Sequence, residues 1–293
     1  MNIVPYFLKI IIIFIFLFIL SCSNKNNEEI EYVEREVDDI YNSAVDFMND
    51  GEFISAGKEF DEVERQHPYS IWATRAQIMS AYVKYKVQEY DIAIGAAQRY
   101  IDLHPGADDV DYAYYLIALC FYERINDVKR DQTYTEWALK SFKNLNNRFP
   151  NSKYSRDANL KLDLIYDHLA GKEMDVGRTY LKLNNYISAI NRFKKVVDSY
   201  SKTSHIPEAL ARLTELYLYL GIYDQAKIYA SVLGHNYPQN KWYTYSYELF
   251  NDLKRNTLSV VEENEEFKDD KKENDGYLNF LDEILTIFGS EKT

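Results

Sequence analysis

Five histidines are the first candidates for acid–base or metal chemistry, and their spacing supports neither. His67 and His104 each precede a proline at equivalent places in a repeated segment. His168, His205 and His235 stand apart, with no second ligand at metal spacing and no HExxH arrangement. The paired carboxylates Asp108-Asp109 and Asp269-Asp270 fall in a short turn and in an acidic linker. The sequence has no phosphate loop, nucleophile elbow or dinucleotide fingerprint. The expectation is a protein that is not an enzyme and uses no metal or dissociable cofactor. Two cysteines cannot make a disulfide framework, and Cys120, inside the apolar run Tyr114 to Phe121, reads as a buried thiol. Cys22 is the remaining reactive side chain.

Cys22 closes a leader. Lys9 precedes an apolar run from Ile10 to Leu20, which is the length of a signal-peptide core and short for a membrane span. The ending Ile19-Leu20-Ser21-Cys22, followed by polar Ser23 to Asn27, resembles the bacterial lipobox, although Leu20 is larger than the residue usual there. Residues 1–21 are thus expected to be a lipoprotein signal peptide, and 22–36 a linker carrying covalent lipid on Cys22. Acyl chains contribute roughly 0.8 kcal/mol per buried methylene, so several together hold a protein at a membrane. Ser23 after the cysteine resembles lipoproteins sorted to the outer membrane.

Composition narrows what such an anchor would hold. A net charge of −12 with no basic run excludes a nucleic-acid binder, which needs a cationic face to displace counterions. Hydrophobic residues at 46% and only six prolines suit an ordered helical chain. The 27 tyrosines and 15 phenylalanines supply large packing surfaces, the tyrosines with polar tips.

The elements that would position these side chains repeat. His67-Pro68, His104-Pro105, Phe149-Pro150 and Tyr237-Pro238 close helical runs, and Tyr200-Ser201 is a degenerate copy. Counting back from each, Ala44, Phe47, Gly51, Phe53, Ala56 and Phe60 recur as Gly177, Tyr180, Asn184, Tyr186, Ala189 and Phe193, and again as Tyr217, Gly221, Tyr223 and Ala226. Copy two carries Ala81, Tyr90 and Ala93; copy three carries Ala118, Ala138 and Phe142, with an insertion around Asn126 to Thr133. These positions resemble the tetratricopeptide repeat, in which small residues let two helices cross closely. The expected fold is all-α: a tetratricopeptide solenoid of about five helical pairs with a capping helix. Repeats one and two span 37–105. Residues 106–170 hold repeat three, its insertion and a bridging helix over Tyr154 to Leu169. Residues 171–256 hold repeats four and five and a cap over Trp242 to Leu253. Residues 257–293 form an acidic tail whose end, Tyr277 to Phe288, reads as a short amphipathic helix able to dock on the body or on a partner.

First helices of such pairs line an inner face. The positions expected there are Tyr41 and Val45, then Arg75, Ile78, Tyr82, Tyr85 and Lys86, then Tyr112, Tyr115 and Tyr122. Tyrosines flanked by Arg75 and Lys86 would make an aromatic trough with a positive end, suited to an extended aromatic-rich segment ending in a carboxylate. The alternative is that half of these tyrosines pack between helices.

Several stretches go beyond a generic repeat: Phe60 to Ser70, Arg130-Asp131-Gln132, Asp167 to Arg178, and Ala189-Ile190-Asn191-Arg192-Phe193. Through them, over about residues 20 to 253, the chain resembles the BamD family, the repeat lipoproteins of the β-barrel assembly machinery. That resemblance implies an outer-membrane lipoprotein facing the periplasm of a Gram-negative bacterium. Its amino-terminal repeats would recognise unfolded outer-membrane proteins, and its carboxy-terminal repeats would bind the POTRA domain of BamA. Other Bam lipoproteins are further partners it implies. Arg192 aligns with the family arginine that contacts BamA. The tail beyond Thr257 departs from shorter family members. The second functional class is a repeat lipoprotein acting as adaptor for periplasmic cell-wall enzymes.

Overall fold

The computed structural model describes residues 34–263 together with Asn279, Asp282 and Thr286. The leader, Cys22 and most of the acidic tail lie outside the described residues. Eleven helices are seen among those that are described: α1 Val37–Asn49, α2 Phe53–Gln66, α3 Ile71–Lys86, α4 Tyr90–Leu103, α5 Val110–Tyr122, α6 Thr133–Arg148, α7 Lys153–Lys182, α8 Tyr186–Ser199, α9 Ile206–Tyr219, α10 Tyr223–Asn236 and α11 Lys241–Glu263. They form five antiparallel pairs and a cap, an all-α tetratricopeptide-type solenoid.

Each pair is set by local chemistry at its turns. The residue between the first and second helix adopts a left-handed backbone in four copies: Gly51 at φ +81°, Gln88 at +66°, Asn184 at +57° and Gly221 at +71°. Glycine reaches that region without a Cβ clash, and asparagine tolerates it better than most residues. The second helices end alike. His67, His104, Phe149, Tyr200 and Tyr237 all leave the helix at φ between −129° and −136°. A following proline bars the α-region for four of them, and Tyr200 keeps the same geometry before Ser201. Side-chain oxygens then cap some helix starts: Ser70 accepts from the Ala73 amide, Ser152 from Tyr154 and Asn185 from Ser188.

Small residues sit where helices cross. Ala44, Ala81, Ala118 and Gly177 are all buried at equivalent first-helix positions. Thr214 takes that position in the fifth copy, and its hydroxyl is satisfied by donating to the Leu210 carbonyl at 2.9 Å. Gly177 is the tightest case, since a Cβ there would lie 2.5 Å from Cε1 of Phe193. Phe60, Phe142 and Phe193 fill the centres of their pairs, completely buried. Each such ring stabilises the fold by about 1.5–3 kcal/mol relative to exposure.

One element differs from the sequence expectation. The bridging helix and the first helix of repeat four are a single helix, α7, of 30 residues, so the division expected at 170/171 falls inside it. At 1.5 Å per residue α7 is about 45 Å long. Its first half packs beside α5 and α6, and its second half pairs with α8. No proline separates the halves, and Gly171 at the boundary stays helical, so the backbone ladder continues. The insertion between α5 and α6 is a tied loop: Gln132 Nε2 donates to the carbonyls of Asp127 and Arg130, and Lys172 on α7 donates to those of Lys129 and Arg130. The capping helix extends beyond the expected Leu253 to Glu263. Among the described residues no helix is long and apolar enough to cross a membrane.

Candidate functional site

First helices α1, α3, α5 and α7 pack directly on one another, so their outward residues form one continuous surface. Tyr41 on α1 packs 4.6 Å from Trp72 and 5.5 Å from Phe60, centroid to centroid. Arg75 lies 5.3 Å over the Trp72 ring, exposed, and has no carboxylate partner among the described residues. Lys86 is likewise exposed, 5.4 Å over Phe53. Both cations thus lie over aromatic faces.

The middle of the surface is a row of half-buried phenols. Tyr82 packs against the cores of the first and second repeats. Tyr85 donates to Glu123 at 3.2 Å and Tyr115 donates to Asp157. Tyr112 and Tyr115 both lie against Tyr154, at 5.1 and 5.0 Å, the second pair nearly parallel. Tyr122 meets Phe142 edge-on, and Lys161 sits 5.0 Å over its ring. Burial is the main cause holding the Tyr85, Tyr112 and Tyr115 phenols above their ordinary range, reinforced by Glu123, neighbouring phenols and Asp157 respectively. Burial also raises Tyr41, with Arg75 opposing. All four remain neutral donors at physiological pH.

Ile78 must be corrected. It is 4% exposed and packs in the core with Ala81, Ala97, Tyr100 and Leu116, so it is not on the trough surface. Three residues belong there that the sequence reading missed: Trp72, Tyr154 and Lys161. Tyr154 was placed in a bridge rather than in a first-helix row, and the packing of the first half of α7 against α5 brings it beside Tyr112 and Tyr115. On the same stripe of α7 as Asp157 and Lys161, Leu160 and Leu164 are 64% and 60% exposed.

The second candidate surface surrounds Arg192 on α8. Glu173 on α7, its side chain only 11% exposed, accepts from Arg192 Nη1 at 3.0 Å and from Lys195 Nζ at 2.6 Å. Burial alone would raise the Glu173 carboxyl, but Lys195 and Arg192 outweigh it and the carboxyl titrates below its ordinary range. Hydrogen bonding to Glu173 raises Arg192 in turn. One carboxylate shared by two cations leaves one positive charge in excess. A depression of about 310 Å³ lined by Tyr180, Ser188, Asn191, Arg192 and Lys195 opens at this point, and the Arg192 side chain is 40% exposed to it.

The stretch Asp167 to Arg178 acts as the joint of the molecule. Asp167 accepts from the Ser204 amide and hydroxyl, Lys172 ties the insertion loop, Glu173 holds Arg192, and Arg178 pairs with Glu208. At Gly171 a Cβ would come within 3.1 Å of His205 Nε2. His67 and His104, the recurring histidines, donate from Nε2 to the Arg35 carbonyl and to the Gln77 side-chain oxygen, and touch no cluster of ligands. Among the described residues no group of three His, Cys, Asp or Glu side chains could hold a metal ion. Cys120 is buried, its thiol pushed up to about 12 chiefly by burial.

Comparison with known proteins places these features. Residues 33–233 match the family YfiO, described as outer membrane lipoprotein. A Caulobacter vibrioides protein named outer membrane protein assembly factor BamD is 45% identical over 235 residues, covering 80% of this chain and 77% of its own length. The Rickettsia prowazekii protein of the same name is 45% identical over 210 residues, covering 72% and 84%. A third, from Neisseria meningitidis, is 33% identical over 222 residues.

Proposed function

This chain belongs to the outer membrane lipoprotein family YfiO, alongside relatives named BamD, and from that membership we propose that it is a scaffold for outer membrane protein assembly. In this reading it is not an enzyme. Its amino-terminal repeats hold unfolded outer-membrane proteins, its carboxy-terminal repeats bind a POTRA domain of BamA, and lipid on Cys22 keeps both at the periplasmic face of the outer membrane. Other Bam lipoproteins are further partners.

The observation that carries the substrate half is Arg75, an exposed guanidinium with no acid partner among the described residues, at the α3 end of the phenols Tyr82, Tyr85, Tyr112 and Tyr115. An extended segment with alternating aromatic side chains and a terminal carboxylate complements that row, its rings on the phenols and its charge on Arg75. Successive first helices lie about 8–10 Å apart, so the row from Arg75 on α3 to α7 measures roughly 16–20 Å. That matches about five to six residues of extended chain. Support for the partner half is the Arg192 depression, whose excess positive charge suits a carboxylate of an incoming domain. A lipid tether gains from confining the search to the membrane surface.

The test of the substrate half is capture of a carboxy-terminal peptide from an outer-membrane protein. Replacing Arg75, Tyr82 and Tyr85 together by alanine should abolish capture while helicity is retained, and undiminished capture would refute it. Pull-down from detergent-solubilised envelopes tests the scaffold role as a whole. BamA is the expected partner, whereas recovery of peptidoglycan enzymes in its place would favour a cell-wall adaptor.

A further inference from the structure

The turns of repeats four and five make an apolar edge. Leu183 and Ile187 flank the turn between α7 and α8, and Tyr219 and Ile222 flank the turn between α9 and α10. Their exposures run from 44% at Ile222 to 69% at Leu183. Tyr186, its ring centroid 4.7 Å from that of Tyr219, joins the two turns. Large apolar side chains scattered singly over a surface are ordinary, but four gathered on adjoining turns form a patch of the kind that marks a contact.

The other repeats supply the comparison. Counted from the left-handed turn residues Gly51, Gln88, Asn184 and Gly221, Tyr219 stands where Asn49, Lys86 and Lys182 stand, and Ile222 where Glu52, Glu89 and Asn185 stand. Polar side chains thus serve the same turn elsewhere, so the turn itself does not require the apolar ones. Leu183 answers to Asp50. The backbone presents these residues in a fixed arrangement: the Asn185 amide donates to the Tyr180 carbonyl at 2.9 Å and the Ile222 amide to the Tyr217 carbonyl at 2.8 Å. A partner meets an edge that is already ordered, which lowers the entropic cost of docking.

This edge is continuous with the Arg192 depression. Leu183 follows Tyr180 by three residues and Ile187 precedes Asn191 by four, one helical turn in each case, and Tyr180 and Asn191 both line the depression. An apolar centre bordered by charge is the usual anatomy of a protein–protein contact. Resting on the reading above that Arg192 meets BamA, we propose that Leu183, Ile187, Tyr219 and Ile222 are the apolar centre of that contact, with Arg192 and Lys195 as its charged rim. The occupant is a domain that sets an apolar knob beside a carboxylate. The edge receives the first, and the positive charge left in excess around Glu173 receives the second. On this division the edge holds the complex together, and Arg192 steers and orients it.

The test follows binding of the full-length protein to BamA in detergent, with association and dissociation read separately. Tyr219→Lys/Ile222→Glu installs the side chains that copy two carries as Lys86 and Glu89, so the turn is kept. Dissociation should become about tenfold faster, with little dependence on salt. Arg192→Glu should act chiefly by slowing association and flattening its salt dependence. Leu183→Asp, the residue of copy one, is the second variant and should also speed dissociation, which keeps the test decisive if the double variant loses its helical signal. Unchanged dissociation in the folded edge variants, with Arg192→Glu still impaired, would overturn the proposal and leave the BamA reading standing. A wild-type protein that does not bind BamA would remove both. Edge variants that keep BamA but lose self-association, or lose binding to vesicles of phosphatidylethanolamine and phosphatidylglycerol, would give the edge to a second copy or to the membrane, and would overturn the proposal as well.

Discussion

Arg192 on α8 donates to Glu173 on α7 at 3.0 Å, across the crossing at which Gly177 meets Phe193. The arginine best placed to meet a partner is thus already engaged by an internal carboxylate, which it shares with Lys195. A partner's carboxylate would add to this arrangement or compete with Glu173, and Arg192 is oriented before that partner arrives.

Glu173→Gln should therefore lower stability by about 1–2 kcal/mol at neutral pH, the scale of a partly exposed charge-assisted pair. The pH dependence follows from the depressed carboxyl. Its stabilising contribution is present above the unfolded carboxylate value of about 4.3 and is lost as pH falls through the lower folded value. Thermal melts of wild type and Glu173→Gln should converge on acidification below that range, and curves that stay parallel would contradict the assignment.

Arg192→Glu places a carboxylate beside Glu173 and removes the excess positive charge from the depression. Co-purification with BamA should fall sharply, while the helical signal of the folded protein is retained. Wild-type recovery of BamA would count against Arg192 as the contact.

Gly177→Ala should cost about 1–3 kcal/mol through overpacking, because the added methyl would lie 2.5 Å from the Phe193 ring. Phe193→Leu in the same chain relieves the clash, so the double variant should be less unstable than the sum of the two single ones. Denaturant midpoints measure this directly.

Gln88→Gly should stabilise the protein by about 0.5–1 kcal/mol, the left-handed strain relieved less the added freedom of the unfolded chain. Gly221→Ala should shift stability the other way. Equal midpoints for all three proteins would mean the turns relax elsewhere.

Ile78→Ala and Tyr154→Ala separate core from trough. The first should cost about 2–5 kcal/mol of stability yet leave peptide capture by the folded fraction unchanged. The second should weaken capture about as much as Tyr112→Ala does. A capture defect in Ile78→Ala at full folding would restore that residue to the surface.

The features legible in advance were local ones. Left-handed turn residues, prolines after second helices and small residues at crossings act within a few positions of themselves, so counting back from Pro68 or Pro238 recovers five pairs. Ile78 was misplaced because it is only 40° around the helix from Tyr82, and a linear pattern does not say which neighbour tips a boundary residue inward. Tyr154 was missed because it opens the helix read as a bridge, and a linear pattern does not show that this helix packs against α5.

By itself the sequence determined the helical class and the repeat with its register, since these depend on short-range periodicity and backbone preference. Tertiary structure alone decided that Glu173 holds Arg192, that Tyr154 joins Tyr112 and Tyr115, and that Arg75 lies over the Trp72 ring. Those outcomes depend on the rotation between successive pairs and on the phase of a 30-residue helix, and neither quantity is written in any one stretch of chain.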